Sequence, residues 1–152
     1  WTAWHKAGAA DADPYSLAAF ARRGDVPMAP SEGLALFAAR DSDGGRLRTG
    51  CRYELRGTFP PSRAWTLTAY RADGRLAASP SGRTGFTSAE ALVEDGAIAI
   101  ALSPEPAAGN WLPLAGDEPM ILALRFYDTA LSAAGAAIDD RRLPAIRRLG
   151  CP

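Results

Sequence analysis

The spacing of apolar residues changes along the chain, from a helical period near the N terminus to an alternating one farther on. Leu17 and Phe20 lie three positions apart and fall on one face of a helix. Asp13 and Pro14 precede them, which is typical of an N-cap followed by a proline at the first helical position. Gly24 ends the pattern. The sequence therefore predicts one short amphipathic helix that packs on the main body of the protein.

From residue 34 onward, apolar and polar residues alternate, as they do in strands with one buried face. In the clearest case Cys51, Tyr53 and Leu55 point to one side, and the charged residues between them point to the other. Asp-Gly pairs at 73–74 and 95–96 are strong hairpin turn signals. The predicted strands are 34–40, 51–57, 64–71, 76–78, 97–102, 120–127 and a C-terminal edge strand at 143–149. The strand at 120–127 is apolar almost throughout, which predicts a central position in a sheet.

Several short strands separated by turn signals, with no second long helical pattern, predict the fold class. The chain is expected to be mainly β, an antiparallel β-sandwich of jelly-roll type with one short N-terminal helix. The predicted organisation is an N-terminal extension that contains the helix, residues 1–33, followed by the sandwich, residues 34–152.

Charge and hydropathy narrow the classes of partner. Seventeen basic and 17 acidic residues cancel, which makes nucleic acid and anionic membrane surfaces poor partners. No apolar run is long enough to span a membrane. The chain opens at Trp1 without an initiator methionine, so we expect that a leader or a membrane anchor once preceded it. Trp1 and Trp4 would then dock on a partner or lie at the membrane interface.

The two cysteines, Cys51 and Cys151, have no metal-ligand or redox spacing, since the chain lacks a C-x-x-C motif and has one histidine. They are either two unrelated buried thiols or a disulfide. We favour the disulfide, because the tail cysteine has no obvious core to enter and a terminal segment gains most from being tied down. Closing a loop of this size contributes about 4–5 kcal/mol in the chain-entropy model. A disulfide indicates an oxidising compartment, and hence a periplasmic or otherwise exported protein.

Candidate catalytic and metal-binding residues are few. The segment 41–45 resembles the start of a calcium loop, but arginines follow where a bidentate glutamate is needed, so a plain turn is predicted. His5 is the single histidine and no nucleophile-elbow motif accompanies it. The adjacent carboxylates Glu94–Asp95 and Asp139–Asp140 would point to opposite faces of a strand and would not cooperate. No catalytic residue, metal or cofactor is therefore predicted.

The candidate ligand-binding residues are aromatic and arginine side chains. Trp111, in a predicted loop at 109–113, is either a hydrophobic plug for one end of the sandwich or a stacking platform for a ligand. Arg125 and Tyr127 share one face of the apolar strand. An arginine there needs a carboxylate, a cluster of carbonyl groups or a ligand anion, and we favour an internal ion pair. Arg83 and Tyr70 are outer candidates for the same site.

Five segments occur in an order that resembles the DUF1214 family of bacterial proteins. The segments are 64–70, 73–76, 85–88, 109–113 and 122–127, and the resemblance extends over roughly residues 50–130. The resemblance implies a β-sandwich of jelly-roll type. It also implies a short form of the family, which lacks the DUF1254 domain of longer relatives and typically carries an N-terminal anchor or leader. Where relatives often have Asn-Pro and then Arg-Tyr, this chain has Ser79-Pro80 and Arg83-Thr84. The family supplies no established activity.

Two functions follow as expectations. The first is an uncharacterised bacterial cell-envelope domain that binds a small molecule or an envelope protein without catalysis. The alternative is a histidine-independent hydrolase, or another enzyme that uses carboxylate and arginine groups. An enzyme should have a deep cleft with at least two converging ionisable groups. A binding module should have shallow grooves and Arg125 already paired internally.

Overall fold

The computed structural model describes residues 1–3, 8–23, 26–131 and 142–152. Within these residues the chain forms nine strands and one helix, in the order β1 (Thr2–Ala3), α1 (Pro14–Arg23), β2 (Gly33–Ala38), β3 (Arg52–Gly57), β4 (Ala64–Arg71), β5 (Gly85–Thr87), β6 (Ile98–Ser103), β7 (Asn110–Pro113), β8 (Met120–Tyr127) and β9 (Ala145–Gly150).

The strands form two sheets that enclose one hydrophobic core. The five-stranded sheet has the order β1-β2-β8-β4-β5, and the four-stranded sheet has the order β7-β6-β3-β9. Alternate side chains of both sheets point inward and are fully buried, among them Tyr53, Leu55, Leu67, Ile100, Leu102, Leu122, Leu124 and Phe126. This confirms the mainly β sandwich, and it confirms that the apolar strand β8 is central. One pairing departs from the antiparallel prediction, because β7 runs parallel to β6.

The turn chemistry and the edge strand also follow the sequence prediction. Asp95 and Gly96 both have positive φ, 50° and 76°, as a two-residue type I′ hairpin turn requires. The C-terminal segment pairs with β3 as the edge strand β9. The predicted strand at 76–78 is wrong, since only a single bridge joins Tyr70 to Leu76. Ser79, Pro80, Ser81 and Gly82 follow shortly after and do not continue the ladder.

The helix begins as predicted. Asp13 accepts a hydrogen bond from the backbone N–H of Ser16 at 3.0 Å, which is the N-cap geometry, and Pro14 is the first helical residue. Phe20 is buried, whereas Leu17 is half exposed, so one of the two apolar positions on the predicted helix face is buried. Gly24 lies outside the described residues.

The N-terminal extension contributes a strand that the sequence did not predict. Strand β1 pairs with β2, where Thr2 lies opposite Phe37. Trp1 donates a hydrogen bond from Nε1 to the carbonyl oxygen of Pro144 at 2.8 Å. Trp4 lies outside the described residues. The boundary between extension and sandwich at residue 33 stays a prediction.

A disulfide joins Cys51 to Cys151 across a sequence separation of 100 residues. The disulfide prediction is confirmed, and the alternative of two unrelated thiols is wrong. Cys51 is buried beside the start of β3, and Cys151 is exposed just after β9. The bond therefore attaches the C-terminal end of the chain to the sandwich.

The predicted loop around Trp111 is wrong, because these residues form strand β7. Asparagine and proline usually mark turns. Here Asn110 is buried, and its side-chain amide bonds the backbone of Leu92 and Ala99. Pro113 ends an edge strand, where its missing N–H costs no ladder bond.

Candidate functional site

The outward face of the five-stranded sheet carries a row of polar side chains across three neighbouring strands. Thr66 on β4 lies opposite Arg125 on β8 in the antiparallel register. On its other side Thr66 lies opposite Thr87 on β5. Thr68 follows two residues later on β4 and, like Thr66, is partly exposed. The alternation that buries Trp65 and Leu67 thus places the threonines on the outside.

Arg125 is the charged group at the β8 end of this row. Its guanidinium carbon lies 5.6 Å from the ring centroid of Tyr70, which is a cation–π contact. Within the described ranges of the chain, no ion pair joins Arg125 to a carboxylate. The internal ion pair expected from the sequence is therefore not seen there. A partly buried guanidinium next to hydroxyl groups is suited to binding an anion.

Arg83 and Glu90 lie on the opposite side of the row. Arg83 Nη1 is 3.3 Å from Glu90 Oε2, and its guanidinium lies 4.5 Å from the ring centroid of Phe86. Glu90 also accepts a hydrogen bond from the backbone N–H of Thr87 at 2.9 Å. A side chain at position 85 would collide with the Leu67 carbonyl, so Gly85 allows β5 to approach β4 closely. These contacts hold the short strand β5 in place.

Together these residues line an open groove of about 830 Å³ on the outer face of the sheet, which we call the β4–β8 groove. Its lining residues are Thr66, Leu67, Thr68, Ser81, Gly82, Arg83, Thr84, Gly85, Phe86, Thr87, Glu90, Arg125 and Tyr127. The structure thus brings together three of the predicted site residues, Arg83, Arg125 and Tyr127. Tyr70 contacts the site through Arg125.

The threonines of the groove were missed by sequence reasoning. Thr66 and Thr68 occupy the polar positions of an alternating strand, where a threonine is ordinarily a solvent-facing residue with high strand propensity. What makes them part of a site is the register that places Thr66 between Arg125 and Thr87. The alternating pattern predicts that the threonines face outward. Their neighbours, Arg125 and Thr87, follow only from the pairing of strands that are distant in the sequence.

Trp111 does not belong to the groove. It lies on β7 in the other sheet, opposite Ala101, and donates a hydrogen bond from Nε1 to the Ser103 carbonyl oxygen at 3.2 Å. It is partly exposed, so it is not a buried plug. A separate small depression of about 160 Å³ lies on the same sheet, with Leu92 and Leu149 among its lining residues.

The predicted turn at 41–45 holds a buried carboxylate. The side chain of Asp41 is 2% exposed and lies 2.8 Å from Nη2 of Arg148 on β9. It also accepts hydrogen bonds from the backbone N–H groups of Asp43 and Gly45. The Asp41 carboxylate therefore has a structural role, because it holds the turn and β9 together. Among the described residues no group of three potential metal ligands occurs.

His5 and the pair Asp139–Asp140 lie outside the described residues. In the part of the chain that is described, no helix has the length and apolar character needed to cross a membrane.

Two solved structures from bacteria resemble the chain. The VPA0106 protein from Vibrio parahaemolyticus matches at a TM-score of 0.65 with 24% sequence identity, over 92% of this chain and 36% of that protein. An uncharacterised protein from Burkholderia cenocepacia matches at a TM-score of 0.49 with 18% identity, over 92% of this chain and 44% of that one. The chain therefore spans less than half the length of these two proteins, and at this identity the first match supports the fold alone.

The sequence comparison is more specific than the structural one. No protein with a curated description matches the chain significantly. Residues 32–131 match the family described as "Protein of unknown function (DUF1214)". That match covers β2 through β8 and therefore includes every strand of the β4–β8 groove. The chain belongs to the DUF1214 family.

Proposed function

We propose that this chain is an exported domain of the bacterial cell envelope that binds a small anionic ligand in the β4–β8 groove without transforming it. The single observation that carries the proposal is Arg125, a guanidinium set beside threonine hydroxyls with no carboxylate partner among the described residues. Arginine binds carboxylate and phosphate groups through charge-assisted hydrogen bonds, which are stronger than neutral ones. An envelope protein as the partner stays a prediction.

Export is proposed from the cysteines. A disulfide between Cys51 and Cys151 persists in an oxidising compartment and is rare in the reducing cytosol. A free-thiol count on unfolded, unreduced protein isolated from its native cell tests this half of the proposal. We expect no reactive thiol, and two reactive thiols would contradict export.

The hydrolase alternative has no specific observation in its favour. Glu90 is the one carboxylate among the residues that line the groove, and it is already paired with Arg83. General acid–base chemistry on a glycoside or similar bond ordinarily needs two cooperating carboxyl groups. The open groove supplies neither this pair nor an enclosed cleft.

Anion binding is tested by replacing Arg125. Butyrate and inorganic phosphate are titrated into the protein by calorimetry at low salt. Hydrogen bonds to a charged group contribute about 1.5–3 kcal/mol, so Arg125→Gln is expected to weaken binding by about 10- to 150-fold. Arg147→Gln is the matched control, because Arg147 is an exposed arginine on the other sheet.

The Arg147→Gln control distinguishes binding at a specific site from a general electrostatic effect on anions. Both variants lose one positive charge, so equal loss of affinity in both would mean that anions are attracted only by the general electrostatic field of the surface and not by a site at Arg125. Unchanged affinity in Arg125→Gln, or no binding by the wild type, would contradict the proposed function.

A further inference from the structure

We propose that the ligand of the β4–β8 groove is an acidic sugar: a hydroxyl-rich molecule with one carboxylate, bound through Arg125. This inference rests on the proposed function and specifies its ligand. It is argued from the hydroxyl groups of the groove, from their spacing and from the balance of charge.

Hydroxyl groups dominate the lining. Five of the lining residues are serine or threonine, namely Thr66, Thr68, Ser81, Thr84 and Thr87. Within the described residues, the hydroxyls of the four threonines make no hydrogen bond to the protein. Thr49, by contrast, bonds the N–H of Glu118 through its hydroxyl. A hydroxyl both donates and accepts, which matches the hydroxyls of a sugar better than it matches a purely accepting anion.

The spacing of these groups suits an extended molecule. Arg125, Thr66 and Thr87 lie on three successive strands in register. Neighbouring strands are about 4.8 Å apart, so the row is about 10 Å long. A ligand that contacts the whole row has its negative charge at one end and neutral polar groups along the rest of its length.

The charge balance limits the ligand to few negative charges. Arg83 is neutralised by Glu90, which leaves Arg125 as the unbalanced charge among the lining residues. Glu90 also accepts the N–H of Thr87, so the far end of the row holds an ion pair that is already satisfied. No unbalanced cation remains there for a second anionic group. A polyphosphate or a dense polyanion therefore fits the groove less well than a sugar with one acidic group.

Shape and aromatic surface agree with this assignment. The groove is open, and its volume of about 830 Å³ lies toward the upper end of the range of about 300–1,000 Å³ for small-molecule sites. Tyr127 lies two residues beyond Arg125 on the same face of β8 and is partly exposed. Its ring offers an apolar surface beside the charged group. An oligosaccharide of a few units can enter such a groove from the side.

The test compares three probes that differ in one property each. They are glucuronosyl-glucose, which has hydroxyls and one carboxylate; cellobiose, its neutral counterpart; and butyrate, a carboxylate without hydroxyls. We expect glucuronosyl-glucose to bind the wild type at least 10-fold more tightly than either of the others, since it alone uses both Arg125 and the threonines.

The variants assign the contacts. The double substitution Thr66→Val with Thr87→Val removes two hydroxyls at nearly constant shape, and valine is compatible with a strand. It is expected to weaken the binding of glucuronosyl-glucose by about 5- to 150-fold through the loss of two neutral hydrogen bonds, and to leave the affinity for butyrate unchanged. Thr58→Val, at an exposed threonine just after β3, is the control and is expected to leave both affinities unchanged. Unaltered thermal unfolding of each variant shows that it is folded.

Each outcome has one reading. If glucuronosyl-glucose binds no better than butyrate, or the double variant binds it as well as the wild type, the sugar assignment is wrong and anion binding stands. If cellobiose binds as tightly as glucuronosyl-glucose, the carboxylate plays no part and the assignment is equally wrong. If none of the three binds while inorganic phosphate does, this inference fails and the proposed function stands; if phosphate does not bind either, both fail.

Discussion

Two arginines of this protein, Arg125 and Arg148, have different roles because their surroundings differ. Arg125 lies on an outer face without a described carboxylate partner, whereas Arg148 is paired with the buried carboxylate of Asp41. The guanidinium of Arg148 also lies 5.7 Å from the ring centroid of Tyr53, and its Nη2 bonds the carbonyl oxygen of Arg46. Arg148 is thus fixed by the protein itself, and the same residue type becomes a structural group there and a candidate ligand-binding group in the groove.

The Asp41–Arg148 pair is expected to matter for stability. Removing one partner of a buried pair leaves the other charge without compensation, which costs more than losing a surface pair. Because Arg148 is partly exposed, we expect Asp41→Asn to lower the free energy of unfolding by about 2 kcal/mol, measured by urea denaturation.

Asp117 offers a control for this prediction. It pairs with Arg48 at 2.7 Å, but both side chains are substantially exposed. Exposed pairs contribute little, so Asp117→Asn is expected to lower stability clearly less than Asp41→Asn. An equal or larger effect of Asp117→Asn would show that burial does not decide the contribution of these pairs.

At the scale of elements, the helix depends on a titratable cap. The hydroxyl of Ser16 and then its backbone N–H donate hydrogen bonds to the Asp13 carboxyl, and they lower its pKa below its ordinary value. A carboxyl whose pKa is lowered on folding stabilises the folded form above its unfolded pKa. That contribution is lost as the pH falls through the lower, folded pKa.

The helix is therefore expected to loosen in acid at its N terminus. Carbon chemical shifts across α1, followed by NMR from pH 7 downward, should move toward coil values with a midpoint below the ordinary aspartate pKa of about 3.9. Asp13→Ser keeps an N-cap that does not titrate, so its helix shifts should stay constant over the same range. A wild-type helix that is equally constant would contradict the role of the Asp13 carboxylate.

The elements also show what the sequence could and could not predict. Strands β3 and β4 were predictable because burial of alternate residues, such as Tyr53 and Leu55, is visible within each strand, and β8 was predictable from its nearly continuous apolar run. Strands β1 and β7 were not, because each depends on a distant partner. Strand β1 is two residues long and exists through pairing with β2. Strand β7 depends on hydrogen bonds of the buried Asn110 amide to distant backbone groups. Its asparagine and proline are residues that ordinarily indicate a turn, so the sequence predicted a loop there.

The candidate site was likewise predictable where it depends on one strand and not where it depends on the pairing of distant strands. The alternation along β8 correctly placed Arg125 and Tyr127 on one face. The grouping with Trp111 assumed that the candidates face one site, yet β7 belongs to the other sheet. Which sheet a strand joins is decided by pairing between distant segments, and this information is not local in the sequence.

At the scale of the whole molecule, the C-terminal tail is held to the sandwich by three kinds of interaction. Strand β9 pairs with β3, Arg148 pairs with Asp41, and the disulfide joins the end of the tail to Cys51. The strand pairing runs along β3 from Arg52 to Arg56, whereas the disulfide and the ion pair attach the tail just before β3 and at the turn 41–45. An edge strand with one hydrogen-bonded neighbour depends on such attachments more than a central strand does.

The disulfide is expected to be the strongest of these attachments, because it acts on the unfolded chain as well. Closing a loop of 100 residues should contribute about 4–5 kcal/mol in the chain-entropy model, and measured losses are typically about 2–5 kcal/mol. Cys151→Ser removes the bond at an exposed position, so core packing around Cys51 stays intact. We expect urea denaturation to show that the free energy of unfolding falls by about 2–5 kcal/mol, and amide exchange to rise first in β9.

Wild-type protein treated with reductant is the matched comparison and should behave like the variant. A loss below about 1 kcal/mol in both, with β9 still protected, would mean that strand pairing and the Asp41–Arg148 pair hold the tail without the disulfide.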